Sequence, residues 1–332
     1  MTTTQGDLAA LLDRPGRRRD TGPLRPGFPV GGTHFVTMLK PEVLAAETAA
    51  VSLTEAVRVL ADGDVTVLRC AVMPARDYGE LGFLLAHYPR LHRVAADGER
   101  ALSTAARREL DALRQRFDAT TVVGAYEVAA HDPELTAASV ETRCRQAGIH
   151  KLGSGSYASV IELHGRAAVV LNGFVPALAA GYLDSPASVG LIECHSTREI
   201  ADLRANLLGS LNPNAAAPTS LRGALAAALG GRPGIALSEG RNGVHLSAGH
   251  LEGMVQAWRY FTAADGHGLD HTPLGRSLAE AGVPTAAFAA DHNIVDESGD
   301  LVSPHGATED LGRDEVVNLL RRWTALRKGN AA

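Results

Sequence analysis

Residues 241–249 read RNGVHLSAG, and the fold turns on what this stretch does. An Arg, an Asn, one His and a Ser lie in a glycine-flanked segment, and a helical pattern, HLEGMVQAW (250–258), follows at once. Taken alone this is a polar turn ahead of a helix, since Gly and Asn are turn formers. The rest of the chain decides whether His245 is more than that.

The chain has 332 residues, 45% of them hydrophobic and 21% charged, which is the composition of a globular protein with a real core. Single cores stop growing near ~250–300 residues, so one large domain with additions, or two domains, is expected. A formal net charge of -5 argues against a general nucleic-acid binder, which needs a basic face. An anionic ligand would need a local pocket of cations. Cys70, Cys144 and Cys194 are far apart and form no C-x-x-C pair, so they read as reduced thiols of a cytoplasmic protein. Arg17, Arg18 and Arg19 are followed by DTGPLRPGFPVGG rather than by an apolar export segment. No apolar run approaches the ~18 residues that span a bilayer, so no membrane partner is expected.

Working outward from His245, residues 1–32 read as a mobile arm, because beyond DLAALLD they offer Arg, Pro and Gly with little to bury. His34 to Leu39 reads as a buried strand that ends at Lys40-Pro41, and LTEAVRVLADGD as a helix with Thr54 as cap and Gly63 past its end. VTVLRCAVM (65–73) is β-rich, and ARDYGELGFLLAHY (75–88) returns to helical spacing. About 91–150 reads as a charged helical insertion. YASVIEL and AAVVLNGF form a hairpin at His164-Gly165-Arg166, and ASVGLIEC is another strand. STREIADLRANLLG reads as a helix with Ser196 and Glu199 in capping-box spacing and Gly209 as terminator; Ser210 to Arg241 reads as a long loop.

Three segments in this order, FVTMLKP (35–41), LLGSLNPNAAAPTSLRGAL (207–225) and RNGVHLSAGHLEGMVQAWRYF (241–261), resemble the nucleoside diphosphate kinases. The resemblance covers roughly 33–90 and 160–262. It implies an α+β fold with a ferredoxin-like βαββαβ core over 33–262, interrupted by the insertion and followed by a C-terminal extension over 263–332. It also implies a specialised enzyme that acts on a nucleotide or another phosphorylated small molecule and forms at least a dimer.

In that family a His takes a phosphoryl group from a nucleoside triphosphate and passes it to a diphosphate; here the residue would be His245. Lys40 and Arg222 would neutralise phosphate oxygens, with Asn242 and Arg204 as further phosphate or ribose ligands, and Mg2+ would accompany the nucleotide. Tyr88 would meet the phosphates or support His245, and Gln256 and Ser247 would orient the imidazole. Such a set suits phosphoryl transfer, which asks a protein chiefly for positioning and charge neutralisation. Arg241 is a weaker candidate.

The chain also departs from the pattern. Leu211 stands where the family has a phosphate-binding Thr, Leu246 follows the His in place of Gly, and Ala224 follows Arg-Gly in place of Asp. The family's phosphate-binding Arg falls on Ala205; Arg204 beside it points about 100° away unless the helix register shifts. Gln256 replaces an orienting Glu and can offer no negative charge. These changes leave two alternatives open: a biosynthetic enzyme using His245 as general acid or base, or a catalytically silent nucleotide-binding regulator.

Three other segments carry candidate signals. LGSGSYAS (152–159) reads as a turn rather than a phosphate loop, since it lacks the Lys-Ser/Thr ending. DGHGLDH (265–271) carries possible metal ligands, but its glycines do not fix them on one face. GRDEVVNLLRRWTALRKG (312–329) is an amphipathic helix with Val316, Leu319, Leu320, Trp323 and Leu326 on its stripe.

Overall fold

A computed structural model describes residue 11 and residues 18–21, 31–128, 132, 134–232 and 235–329. It is a mixed α+β protein. The strands in chain order are β1 (Arg19–Asp20), β2 (Thr33–Leu39), β3 (Val65–Pro74), β4 (Thr121–Gly124), β5 (His150–Gly153), β6 (Ser156–Leu163), β7 (Arg166–Leu171), β8 (Ser188–Ser196) and β9 (Val244–Leu246), with a short pair, β10 (Ile294–Val295) and β11 (Leu301–Val302), near the end. The chain packs into two compact units. The first holds the described residues up to Phe83, Ser185–Ala289 and Thr308–Thr324; the second holds Leu84–Asp184, Ala290–Ala307 and the described residues from Ala325 on.

The first unit is built on a five-stranded antiparallel sheet in the order β1-β3-β8-β2-β9. The helix Ala49–Asp62 connects β2 to β3, and the segment holding the helix Leu221–Leu229 connects β8 to β9. Each connection returns to a strand that is not its neighbour, so the two strand-helix-strand units interleave. Alternation along the strands sends Phe35, Leu39, Cys70, Val72, Ile192, Cys194, Val244 and Leu246 to one face. There they pack against Leu53, Ala56, Val59 and Leu60 of the first helix and Leu221, Ala224, Leu225 and Leu229 of the second. Leu246 and Ala224, two departures from the family pattern, are therefore core residues.

The helix His250–Ala257 lies on the other face, against β2. Gly253 permits this approach, because a Cβ there would stand 2.8 Å from the His34 carbonyl oxygen and 3.3 Å from Phe35 Cα. Trp258–Thr262 continues it as a π-helix.

The helix Leu221–Leu229 lies inside what the sequence suggests is a long loop. Its alanines are good helix formers, and Ser220 caps it by accepting from the Gly223 N–H at 3.3 Å. The Thr54 cap is also corrected. The Ala49–Asp62 helix follows Thr48, whose hydroxyl donates to the Val43 and Ala45 carbonyls rather than capping the helix. The Ser196–Glu199 capping box does not form either, because Ser196 Oγ donates to the Asp64 carbonyl and the helix starts at Ile200.

The second unit contains a four-stranded sheet, β4-β7-β6-β5, in which only β4 and β7 run parallel. Ala168 and Val170 face Val140, Cys144 and Val175; Val169 and Leu171 face Leu102, Ala106, Leu110 and Leu113. This unit is wider than the expected 91–150 insertion, and it is not purely helical. The 156–171 hairpin, which the resemblance put in the core, belongs here, because its two faces bury against helices of the intervening segment.

Most of the expected mobile arm, 1–32, lies outside the described residues. Of those described, Leu11 is buried in the first unit's core, and Arg19 and Asp20 pair with Val72 and Ala71 at the sheet edge. In the expected extension the helix Arg313–Gly329 buries Val316, Leu320 and Trp323; Leu319 and Leu326 remain half-exposed. Among the described residues no helix is long and apolar enough to cross a membrane.

Candidate functional site

His245 owes its direction to strand alternation. β9 pairs with β2 so that His245 stands opposite Met38, while its neighbours Val244 and Leu246 enter the apolar core. The imidazole therefore emerges on the face covered by His250–Ala257. There its Nε2 lies 3.0 Å from Glu252 Oε1. Glu252 and Gln256 are four residues apart on that helix and so share a face. Gln256 Nε2 donates to the same Glu252 oxygen at 2.5 Å, and Gln256 Oε1 accepts from Ser247 Oγ at 2.7 Å. Ser247 Oγ also accepts from the Val36 N–H at 2.9 Å, which ties the chain of contacts to β2.

The expectation for Gln256 is thus corrected. The group facing the imidazole is a carboxylate, Glu252, with Gln256 and Ser247 behind it. Glu252 was not legible in the sequence, because a helix register alone does not say which residue faces a strand outside the helix. The only available signal was an acid in the helix's first turn, where the dipole favours it.

The cations come from three segments. Lys40 follows β2; its N–H donates to the Gly243 carbonyl at 2.9 Å and its Nζ to Asn242 Oδ1 at 2.8 Å. Asn242 in turn donates to the Glu239 carbonyl at 3.2 Å, and the Gly243 N–H donates to Glu42 Oε1 at 3.1 Å. Arg222, in the first turn of its helix, reaches the Gly209 carbonyl at 2.9 Å and the Val244 carbonyl at 3.5 Å. Gly223 beside it has a physical reason, since a Cβ there would collide with the Ala217 carbonyl.

Arg204 belongs to a π-helical turn, Leu203–Leu208, which is a register shift of the kind needed to redirect it. Its guanidinium donates to the Ala248 carbonyl at 3.2 Å and pairs with Glu309 Oε1 at 2.7 Å and Asp310 Oδ1 at 2.6 Å. Burial works against its charge, but Asp310 and Glu309 outweigh it and raise its pKa.

Burial pushes the His245 imidazole well below the ordinary histidine range, and the charges of Lys40, Arg222 and Arg204 push it the same way. The lowered pKa favours the neutral ring, whose Nε2–H can donate to the Glu252 carboxylate. Burial also lowers the Lys40 pKa; Glu42 offsets this and Arg222 adds to it.

Tyr88 lies in the second unit, at the start of the helix Pro89–Asp97, with its ring 4.4 Å from that of His87. Arg241 is exposed and pairs through its backbone with Ser238. Leu211 is 54% exposed at the mouth of the 210–241 segment. LGSGSYAS is the β5–β6 connection. His267 and His271 stack 4.2 Å apart, and among the described residues no group of three or more His, Cys, Asp or Glu could hold a metal.

Comparisons of the chain with protein-family models, curated proteins and solved structures return no match.

Proposed function

We propose that the first unit is a ferredoxin-like, nucleoside diphosphate kinase-like enzyme that transfers a phosphoryl group through His245. The strand order β3-β8-β2-β9 with its interleaved helices supports that fold. The observation that carries the function is one neutral imidazole set among Lys40, Arg222 and Arg204, with Nε2 facing Glu252. With Nε2 so engaged, attack would come from Nδ1. A bond forms between Nδ1 and the terminal phosphorus of a nucleoside triphosphate, the bond to the bridging oxygen breaks, and the diphosphate leaves.

Glu252 then stabilises the positive charge on the phosphorylated ring, and the cations hold the equatorial oxygens. Transfer to an acceptor hydroxyl or phosphate reverses the steps. Mg2+ enters on the nucleotide's own phosphates.

The test is incubation with γ-labelled ATP and Mg2+. The expected result is an acid-labile, base-stable phosphoprotein that His245→Ala abolishes; an unlabelled wild type would overturn the proposal. Two observations favour a second reading, a non-kinase enzyme or silent binder of phosphorylated ligands: Arg204 is already paired to two carboxylates, and Leu211 brings no hydroxyl. On that reading no label forms. Loss of a pathway product in His245→Ala would then identify the enzyme, and tolerance of the change the silent binder.

A further inference from the structure

Arg204 is held by carboxylates from far down the chain. Glu309 and Asp310 are 105 and 106 residues downstream, and both belong to the first unit. The segment that carries them is fastened by its backbone to Ala248, on the chain just after β9. The Asp310 N–H donates to the Ala248 carbonyl at 3.1 Å, the same oxygen that accepts from Arg204 at 3.2 Å. Gly249 lies under it so closely that a Cβ would stand 2.7 Å from the Thr308 carbonyl oxygen.

Two features make this contact exchangeable. The three side chains remain partly open to solvent, at 24%, 32% and 49% for Arg204, Glu309 and Asp310. Asp310 also holds a left-handed backbone, φ 60°, which a non-glycine residue adopts at a cost. Two of the oxygens that Arg204 meets, those of Glu309 and Asp310, belong to carboxylates within hydrogen-bond reach, as phosphate oxygens would be.

We propose that Glu309 and Asp310 form an intramolecular anionic cover on the site, which a phosphate-bearing ligand displaces from Arg204. This rests on the reading of the His245 cluster as a phosphate site. A ligand that must displace the cover binds with its intrinsic affinity reduced by the fraction of molecules uncovered. Neutralising the cover therefore tightens binding, and it does so only while Arg204 is present.

The test is calorimetry with inorganic pyrophosphate on the full chain, on Glu309→Gln/Asp310→Asn, and on each in an Arg204→Ala background. A second uncovered variant, Glu309→Gln/Asp310→Gly, removes the carboxylates while giving the left-handed position a residue that takes it without strain. The expected result is at least about tenfold tighter binding in both uncovered variants, the scale of one charge-assisted contact, and no gain in the Arg204→Ala background. Wild-type binding that Arg222→Ala weakens and the uncovered variants leave unchanged would overturn the cover while the phosphate site stands. A gain that persists without Arg204 would also overturn it. Absence of pyrophosphate binding in wild type and in every uncovered variant would overturn both proposals.

Discussion

On one face of the first unit's sheet, Phe35, Leu39, Ile192 and Cys194 pack into an apolar cluster with two helices. On the other face the same strands present His34, Glu193 and Arg69, all at least nine-tenths buried. His34 Nε2 lies 2.8 Å from Glu193 Oε1, Arg69 bonds the other Glu193 oxygen, and Arg69 also reaches Asp265 at 2.6 Å while its guanidinium sits 4.9 Å from the Phe261 ring centre. His245, Glu252, Gln256 and Ser247 share this second face. The apolar face thus holds the unit together by area, and the polar face by matched partners. Burial there costs little only while every partner is present.

The largest effect expected from this contrast is at Glu193. Glu193→Ala leaves Arg69 and His34 buried around an absent carboxylate and should cost about 3–5 kcal/mol of stability in urea unfolding. Replacing the set together, His34→Leu/Arg69→Met/Glu193→Leu, should be neutral or stabilising by about 1–4 kcal/mol. Equal damage from the single and triple variants would break the comparison, because the polar face would then need its charges rather than their mutual satisfaction.

Next in size is a pH effect carried by His250, which is buried on the polar face. Burial, Arg313 and His34 lower its pKa to about 4, and Asp314 opposes them. Its folded pKa lies below the unfolded value of 6.5, so the unfolded chain binds the proton first. The contribution is intact above pH 6.5 and is lost as pH falls towards 4. At pH 5 the loss is about 2 kcal/mol relative to pH 7. Urea midpoints at the two pH values, compared between wild type and His250→Leu, measure it. A wild-type dependence no steeper than the variant's would contradict the assignment.

Smaller still is Glu252→Gln. It keeps an acceptor for His245 but removes the charge, so labelling by γ-labelled ATP should slow about tenfold, equivalent to about 1.4 kcal/mol. An unchanged rate would mean that Glu252 merely fills space. The smallest effect belongs to the apolar face, where Ser220→Ala removes the cap of Leu221–Leu229 and should cost about 1 kcal/mol, read as a lowered Tm.

Much of the apolar face was legible in the sequence. The buried strand from His34 to Leu39, the strand ASVGLIEC and the helix that stops at Gly63 all follow local patterns, and a local pattern can be read without knowing what it packs against. Lys40, Arg222, Asn242 and His245 were legible as a group only through the resemblance. The structure gathers Lys40, Asn242, Arg222 and His245 around the start of β9 and leaves Tyr88 in the other unit. The helix Leu221–Leu229 was hidden because Gly223 and the Pro, Gly and Asn on either side made its stretch look like loop. That Gly is required by the Ala217 carbonyl, which comes close only in the folded chain.

The sequence by itself determined which residues are apolar, where strands alternate and where helices stop, since backbone sterics and side-chain periodicity act over a few residues. Only the tertiary structure decided that Glu252 rather than Gln256 faces His245, that a π-turn redirects Arg204, and that Glu309 and Asp310 answer its charge. Charge pairing depends on distance in space, and residues some hundred positions apart acquire a distance only when the chain has folded.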